Sequence, residues 1–258
     1  MYPLPVLHFF ALLLGMIIGS FLNVCIYRIP AKKSIMFPPS SCPACGEKIH
    51  FYDNIPIISY IILSGKCRSC GQHISYQYPV VELITGISSL LLFMKFGMNY
   101  QYLLYLLFVS SLITISFIDI NLKIIPDRIS LPGIVSGFFA SFVLKDITPL
   151  DSLLGVFLGG GVFYIVAVTY ERLTGKTGMG GGDIKFISMI CAWMGWKAVF
   201  PVIMISSLSA ATIGSVFILL SGKGRGVKIP FGPFLSVGAV IYLFSGQEIL
   251  NWYLNLSA

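Results

Sequence analysis

Charge is scarce in this chain. Only 10% of its residues are Asp, Glu, Lys or Arg, where a soluble domain carries about a quarter. Acid is scarcer still, with ten Asp and Glu against seventeen Lys and Arg. The chain also lacks the ten-residue apolar–polar alternation of a transmembrane β-barrel, and no internal repeat is evident in its 258 residues. No basic residue precedes the first apolar run, and that run is too long for the core of a secretory signal, so it reads as a retained helix. An aqueous globular domain, a β-barrel and a repeat array are set aside on these grounds.

What is there is apolar and comes in blocks. Hydrophobic residues make up 56% of the chain, and the mean hydropathy is +0.88. A helix needs roughly 20 apolar residues to cross the hydrocarbon core. The expected fold is therefore an all-α polytopic membrane protein of about eight transmembrane helices: Leu4–Tyr27, Pro79–Phe96, Tyr100–Ile118, Ile129–Leu144, Leu150–Tyr170, Ile184–Trp196, Val199–Leu220 and Phe231–Leu250. Lys and Arg collect on the cytosolic side of such helices. The loops 28–78, 119–128, 171–183 and 221–230, with Lys185, hold fourteen of the seventeen; Lys95, Lys145 and Lys197 are left for the other side. That asymmetry predicts both termini outside the cytosol, and it accounts for a net charge of +7 without a nucleic-acid partner.

Residues 28–78 form the one sizeable polar segment, too short for an independent core without a staple. Four of the six cysteines lie in it as Cys42-Pro43-Ala44-Cys45 and Cys67-Arg68-Ser69-Cys70. Each pair is followed by a glycine, Gly46 or Gly71, which lets backbone N–H groups turn toward the thiolates. The 21 residues between the pairs suit a four-cysteine zinc ribbon. Four thiolates around Zn2+ make a closed, structural shell, and a reducing compartment favours metal over disulfides. Two disulfides or a redox CxxC are the alternatives.

Two acids invite a chemical reading. Asp119 ends the third apolar run, and Asp183 opens the sixth in Gly178-Met179-Gly180-Gly181-Gly182-Asp183. The charge rule puts both at the cytosolic end. Two carboxylates that meet there cannot both ionise cheaply, so one keeps a proton and the other serves as base toward a shared water. Gly180 and Gly182 allow close backbone approach beside Asp183. The plainer readings are that Asp183 caps a helix N-terminus and that Asp119 pairs with Lys123. An ion-relay transporter would place acids near the midplane and show repeats; neither is seen. A zinc-stabilised scaffold without activity is the remaining alternative.

Taken together, these residues resemble the type IV prepilin peptidases, membrane aspartyl proteases of the GxGD type. The resemblance runs through Gly19-Ser20-Phe21-Leu22-Asn23-Val24, Arg28-Ile29-Pro30, the paired CxxC loop and Tyr78-Pro79-Val80-Val81-Glu82-Leu83. It continues through Asp119, Ile125-Pro126-Asp127, the GxGD motif at Asp183, and Ile229-Pro230-Phe231-Gly232-Pro233. It implies catalysis by Asp119 and Asp183, with Gly180, Gly182, Pro126 and Asp127 as supporting motif residues. It further implies prepilin or pseudopilin substrates, cut at the cytosolic face of the bacterial inner membrane, and a second activity that N-methylates the new amino terminus from S-adenosylmethionine. On this reading 1–27 is the first helix, 28–78 the zinc loop and methyltransferase part, and 79–258 the peptidase. Asn23, Arg28 and Glu82 border the loop as candidates for the second activity, although Glu82 could instead pair with Arg28.

Overall fold

The computed structural model describes residues 4–175, 180–221 and 229–256. Lys176, Lys223, Arg225 and Lys228 of the charge argument, and Gly178 and Met179 of the glycine run, lie outside the described residues. Among the described residues nine α-helices run in order: α1 Leu4–Arg28, α2 Ile58–Ile62, α3 Gln77–Phe96, α4 Tyr100–Leu122, α5 Asp127–Ala140, α6 Pro149–Thr174, α7 Gly181–Met194, α8 Val199–Ser221 and α9 Gly232–Leu256. The same residues hold no β-strand, only two isolated bridges inside the cysteine loop, and the all-helical expectation is met. Five helices (α1, α3, α4, α6 and the one centred on α8) are long and apolar enough to cross a membrane. The chain is thus a multi-pass membrane protein in pattern. α5 and α7 have 14 residues each, about 21 Å at 1.5 Å per residue, short of a hydrocarbon core of about 30 Å.

Contacts divide the chain into two units, residues 1–114 and 115–258. In the first, α1 lies against α3. A Cβ on Gly15 would stand 2.5 Å from the Ser89 Cβ, and one on Gly19 would stand 2.7 Å from the Glu82 Cα. Small residues one turn apart let the two backbones approach, as helices in lipid must do to gain packing. Ser89 Oγ reinforces the pair by donating to the Ala11 carbonyl at 2.6 Å.

The second unit is organised round α7. Every residue from Phe186 to Met194 is buried, and the helix touches α5, α6 and α9. Gly133 and Gly137 on α5 back onto Met189 and Trp193, while Gly155 and Gly159 on α6 back onto Cys191. Trp193 Nε1 donates to the Gly133 carbonyl at 2.9 Å, and Ser152 Oγ donates to the Ala192 carbonyl at 2.7 Å. A helix enclosed on all sides can be apolar throughout, which is why its sequence shows no polar stripe.

Several boundaries differ from the sequence expectation: α6 runs on to Thr174, α7 begins at Gly181 and ends at Met194, and α9 runs on to Leu256. Two others bear on the site. α4 continues past Ile118 to Leu122, so Asp119 sits inside its last turn; the stop comes at Lys123, whose left-handed φ of 56° ends the helix. α5 runs from Asp127 to Ala140 rather than from Ile129 to Leu144. Pro126, extended at φ −75° and ψ 125°, caps its start, as expected of a ring that fixes φ and cannot donate.

Candidate active site and metal centre

Asp119 and Asp183 both belong to the second unit. Asp119 is 5% exposed, the most buried acid among the described residues. Its Oδ2 accepts a hydrogen bond from the Gly232 N–H at 2.8 Å. The alternative partner is not used: the Lys123 amide donates to the Asp119 carbonyl at 2.8 Å, and no described ion pair joins the two side chains. Asp183 is the third residue of α7. Its amide donates to the Gly180 carbonyl at 3.1 Å, and its carboxylate accepts from the Gly180 backbone. This is the returning half of a capping box, in which the third helical residue satisfies the cap's free N–H. Asp183 therefore caps its helix and also lies within electrostatic range of Asp119.

The supporting residues lie around the start of α7, which carries Asp183. A Cβ on Gly182 would stand 2.9 Å from the Ile125 Cβ, so the glycine lets α7 begin directly against the Ile125-Pro126-Asp127 turn. Gly180 has an ordinary φ of −75°, and a Cβ built on it would meet nothing nearer than Asp183 Oδ2 at 3.5 Å. Asp127 takes Lys185 Nζ on both carboxylate oxygens at 2.8 Å, which ties the start of α5 to the first turn of α7. Sequence reasoning gives Lys185 no role beyond a cytosolic charge; its position two residues after Asp183 is the available clue. Gly232 stands in a quoted motif without a role. The signal there is a glycine followed by proline at a helix start, a place where amides have no partner in their own helix.

The cysteine loop lies in the first unit and is built twice over. The Cys42 amide donates to the Glu47 carbonyl and the Gly46 amide to the Cys42 carbonyl; Cys67, Gln72 and Gly71 repeat the pattern at 2.8 and 2.9 Å. Gly46 and Gly71 take left-handed φ values of 75° and 69°, a conformation that costs glycine nothing. Bridges from Ser41 to Lys48 and from Lys66 to His73 close the two turns. The sulfurs of Cys42, Cys45, Cys67 and Cys70 lie within 4.8 Å of one another. Tetrahedral Zn–S bonds of about 2.3 Å put sulfurs about 3.8 Å apart, and Cys42 Sγ is 3.9 Å from Cys70 Sγ. The Cys45 and Ala44 backbone amides bring the Cys42 thiol down to about 6. All six cysteines are free thiols; four so close cannot all ionise without a cation between them, so the cluster can hold a metal ion. Across the loop, Arg68 grips Asp53 through both Nε and Nη2, at 2.9 and 2.6 Å, and holds that carboxyl below the usual carboxylate range.

The residues bordering the loop are engaged in docking it. Glu82 does not pair with Arg28. Its Oε2 accepts the Ile57 N–H at 2.8 Å, and Ile57 adopts a strained φ of 60° in presenting it. Arg28 instead donates to the carbonyls of Ser34 and Pro38 at 3.0 and 2.7 Å. A charge match fails here because each group finds backbone closer at hand. Asn23 Nδ2 donates to the Tyr78 carbonyl at 3.1 Å, while its buried Oδ1 has no partner.

Comparison with known proteins covers both units. The family model for the bacterial peptidase A24 N-terminal domain matches residues 13–96, and that for the type IV leader peptidase family matches residues 106–215. The chain is similar to the prepilin leader peptidase/N-methyltransferase of Xanthomonas campestris pv. campestris, 34% identical over 95% of this chain and 93% of that protein. The protein of the same name from Pseudomonas aeruginosa is 34% identical over 95% and 93%. That of Neisseria gonorrhoeae is 36% identical over 95% and 94%. No solved structure matches the chain.

Proposed function

The chain belongs to the type IV leader peptidase family, and from that premise we propose that it cuts the leader from type IV prepilins or pseudopilins, with Asp119 and Asp183 as the catalytic pair. What supports the reading is that two acids from separate helices, one of them 5% exposed, lie within reach of each other's charge. Two such carboxylates share a proton. One takes a proton from a bound water as that water attacks the scissile carbonyl, and the other gives its proton to the carbonyl oxygen. Gly180, Gly182, Pro126 and Asp127 serve this pair by shaping the start of α7 and the turn before α5. In this reading the eight helices other than α2 form the eight spans in the bacterial inner membrane, α5 and α7 being too short to cross it as helix alone. Both termini then lie outside the cytosol, and the aspartates lie at the cytosolic face. The positive-charge asymmetry supports that orientation.

The second activity is N-methylation of the newly exposed residue, with S-adenosylmethionine as donor; the names of the relatives support it. Asn23, Arg28 and Glu82 are committed to backbone partners, so none is assigned to the donor. Zn2+ suits the four cysteines by charge and by sulfur spacing, and its place is structural: it fixes the two turns of the 28–78 segment. The test is to incubate the purified protein with a prepilin and follow the product by mass. Cleavage at the leader junction is expected, with a methyl increment when S-adenosylmethionine is added. Full cleavage by both Asp119→Asn and Asp183→Asn would refute the pair. No increment would reduce the function to peptidase alone.

A further inference from the structure

The two aspartates are not equivalent. Asp119 carries a hydrogen bond that comes from a third helix, α9. Phe231 caps that helix, accepting the amides of Phe234 and Leu235 at 3.1 Å. Gly232 is then its first residue, and the Gly232 amide has no partner within the helix, as is general for first-turn amides. It points at Asp119 Oδ2 from 2.8 Å. Pro233 follows and has no N–H to offer, so Gly232 is the donor at this point. Only glycine allows the approach, since a Cβ there would sit 2.7 Å from Asp119 Oδ2 and 3.3 Å from its Cγ. The junction is tied a second time. Ser116 Oγ, three residues before Asp119 on α4, donates to Ser236 Oγ at 2.7 Å, and Ser236 Oγ donates to the Gly232 carbonyl at 3.1 Å. The first turn of α9, which carries the Gly232 amide, is thus tied through Ser236 to the helix that carries Asp119.

An amide at a helix N-terminus favours a negative charge in front of it. Asp183 also has a backbone partner, Gly180, but that bond closes the cap of its own helix, whereas the Gly232 amide is brought to Asp119 from a separate helix. We infer that Gly232 is a positioning residue that fixes Asp119 as the ionised member of the pair and leaves the shared proton on Asp183. The inference rests on the peptidase reading and adds the direction of proton flow. Asp119 takes a proton from water, the resulting hydroxide bonds to the scissile carbonyl carbon, and Asp183 delivers its proton to the carbonyl oxygen. In the second half Asp119 returns its proton to the leaving nitrogen as the C–N bond breaks. Asp183 recovers a proton from one hydroxyl of the diol, and the pair ends as it began.

Among the described residues of the helices that meet at this junction, charged groups are few. α4 offers no acid or base but Asp119 itself between Tyr105 and Lys123, and α9 offers no titratable side chain before Tyr242. α7 brings Asp183, and Lys185, which is paired with Asp127 of α5. The pH dependence of cleavage therefore reports the aspartate pair. The test measures kcat and KM for a purified type IV prepilin against pH, with the full chain and its Gly232→Ala and Ser236→Ala variants. Gly232→Ala is expected to lower kcat about 100-fold, the cost of a small misplacement, with KM nearly unchanged. The acid limb should move up by about one unit, because losing a hydrogen bond to a charged group weakens the ionised form by roughly that much. Ser236→Ala, which keeps the glycine, should shift the same limb in the same direction by less, and it serves if the alanine at 232 prevents folding. Loss of activity with the acid limb unmoved in both variants would show that Gly232 only packs, and the assignment of charge would fall. That result is separable from failure of the peptidase reading, which shows instead as full cleavage by Asp119→Asn and Asp183→Asn.

Discussion

In the cysteine loop the four sulfurs and the backbone bonds that close the two turns lie between Ser40 and Ile74, whereas Asp119 and the amide that holds it are 113 positions apart in the chain. The loop uses turn chemistry repeated twice, with glycines at two left-handed positions, and its side chains stand largely in water. The aspartate pair uses three helix ends brought together by apolar packing, and Asp119 is hidden. The difference sets what each region answers to. A local cluster of thiols depends on a cation and on few neighbours. A pair of acids at helix ends depends on how closely α4, α7 and α9 approach, and so on the glycines and serines at their junctions. Removing the metal should therefore disturb one region, and filling a glycine the other.

The sharpest way to break the comparison is at the acids. Asp119→Asn keeps an oxygen for the Gly232 amide, so the fold should survive while cleavage falls by about 10²–10⁴-fold, the range for loss of a general acid or base. Asp183→Asn should fall in the same range. Mass analysis of prepilin cleavage together with thermal unfolding in detergent checks both halves; equal loss of stability and activity would make the acids structural. Next in size is the loop. Replacing Cys42 and Cys67 together by Ser should abolish metal binding, because a structural zinc contributes on the order of 10 kcal/mol to its own fold. Elemental analysis reads the metal, and limited proteolysis should open sites within residues 28–78 while the 115–258 unit stays resistant. Proteolysis spreading through both units would erase the distinction between them.

What can be read from sequence follows the same divide. CxxC-Gly twice, at ribbon spacing, specifies its own turns, so the cluster is visible from residue types alone. Asp119 and Asp183 are visible as acids beside apolar runs, but their proposed pairing is not, since it needs the packing of helices far apart in the chain. The extra turn of α4 is hidden because Ile120, Asn121 and Leu122 give no stop signal; the left-handed Lys123 supplies it. Gly232 is hidden because its contribution is a backbone N–H, which every residue but proline owns. The Glu82–Arg28 pairing misleads for a related reason: opposite charges suggest a partner, yet the Ile57 amide and the Ser34 and Pro38 carbonyls are nearer. Helix count is legible from length where runs are long, and less so for α5, where Pro132 interrupts a 14-residue helix.

A smaller effect is expected where the aspartate region meets water. The Lys185–Asp127 pair is 40% and 55% exposed, and exposed pairs contribute about 0.2–1 kcal/mol. Lys185→Ala should lower the unfolding temperature slightly at low salt and not measurably at high salt, as screening removes the attraction. A loss of cleavage far larger than this change in stability would mean that the pair aims α7 as well as fastening it.

The smallest expected effect lies in the loop, where Arg68 sits between two of the cysteines and grips Asp53. The Asp53 carboxyl is held below its ordinary value, first by the hydrogen bonds from Arg68 and then by its charge. A depressed carboxylate stabilises the folded loop above its unfolded pKa and stops doing so as pH falls through its folded one. Arg68→Ala should therefore leave the loop more open to protease than the parent at neutral pH. The gap between the two proteins should narrow as the medium is acidified past the usual carboxylate range. Only the difference between the two proteins at each pH isolates Asp53. A gap that persists unchanged into acid would assign the Arg68 contribution to its guanidinium lying over the Tyr52 ring, 5.5 Å from the centroid, an attraction that does not titrate with a carboxylate.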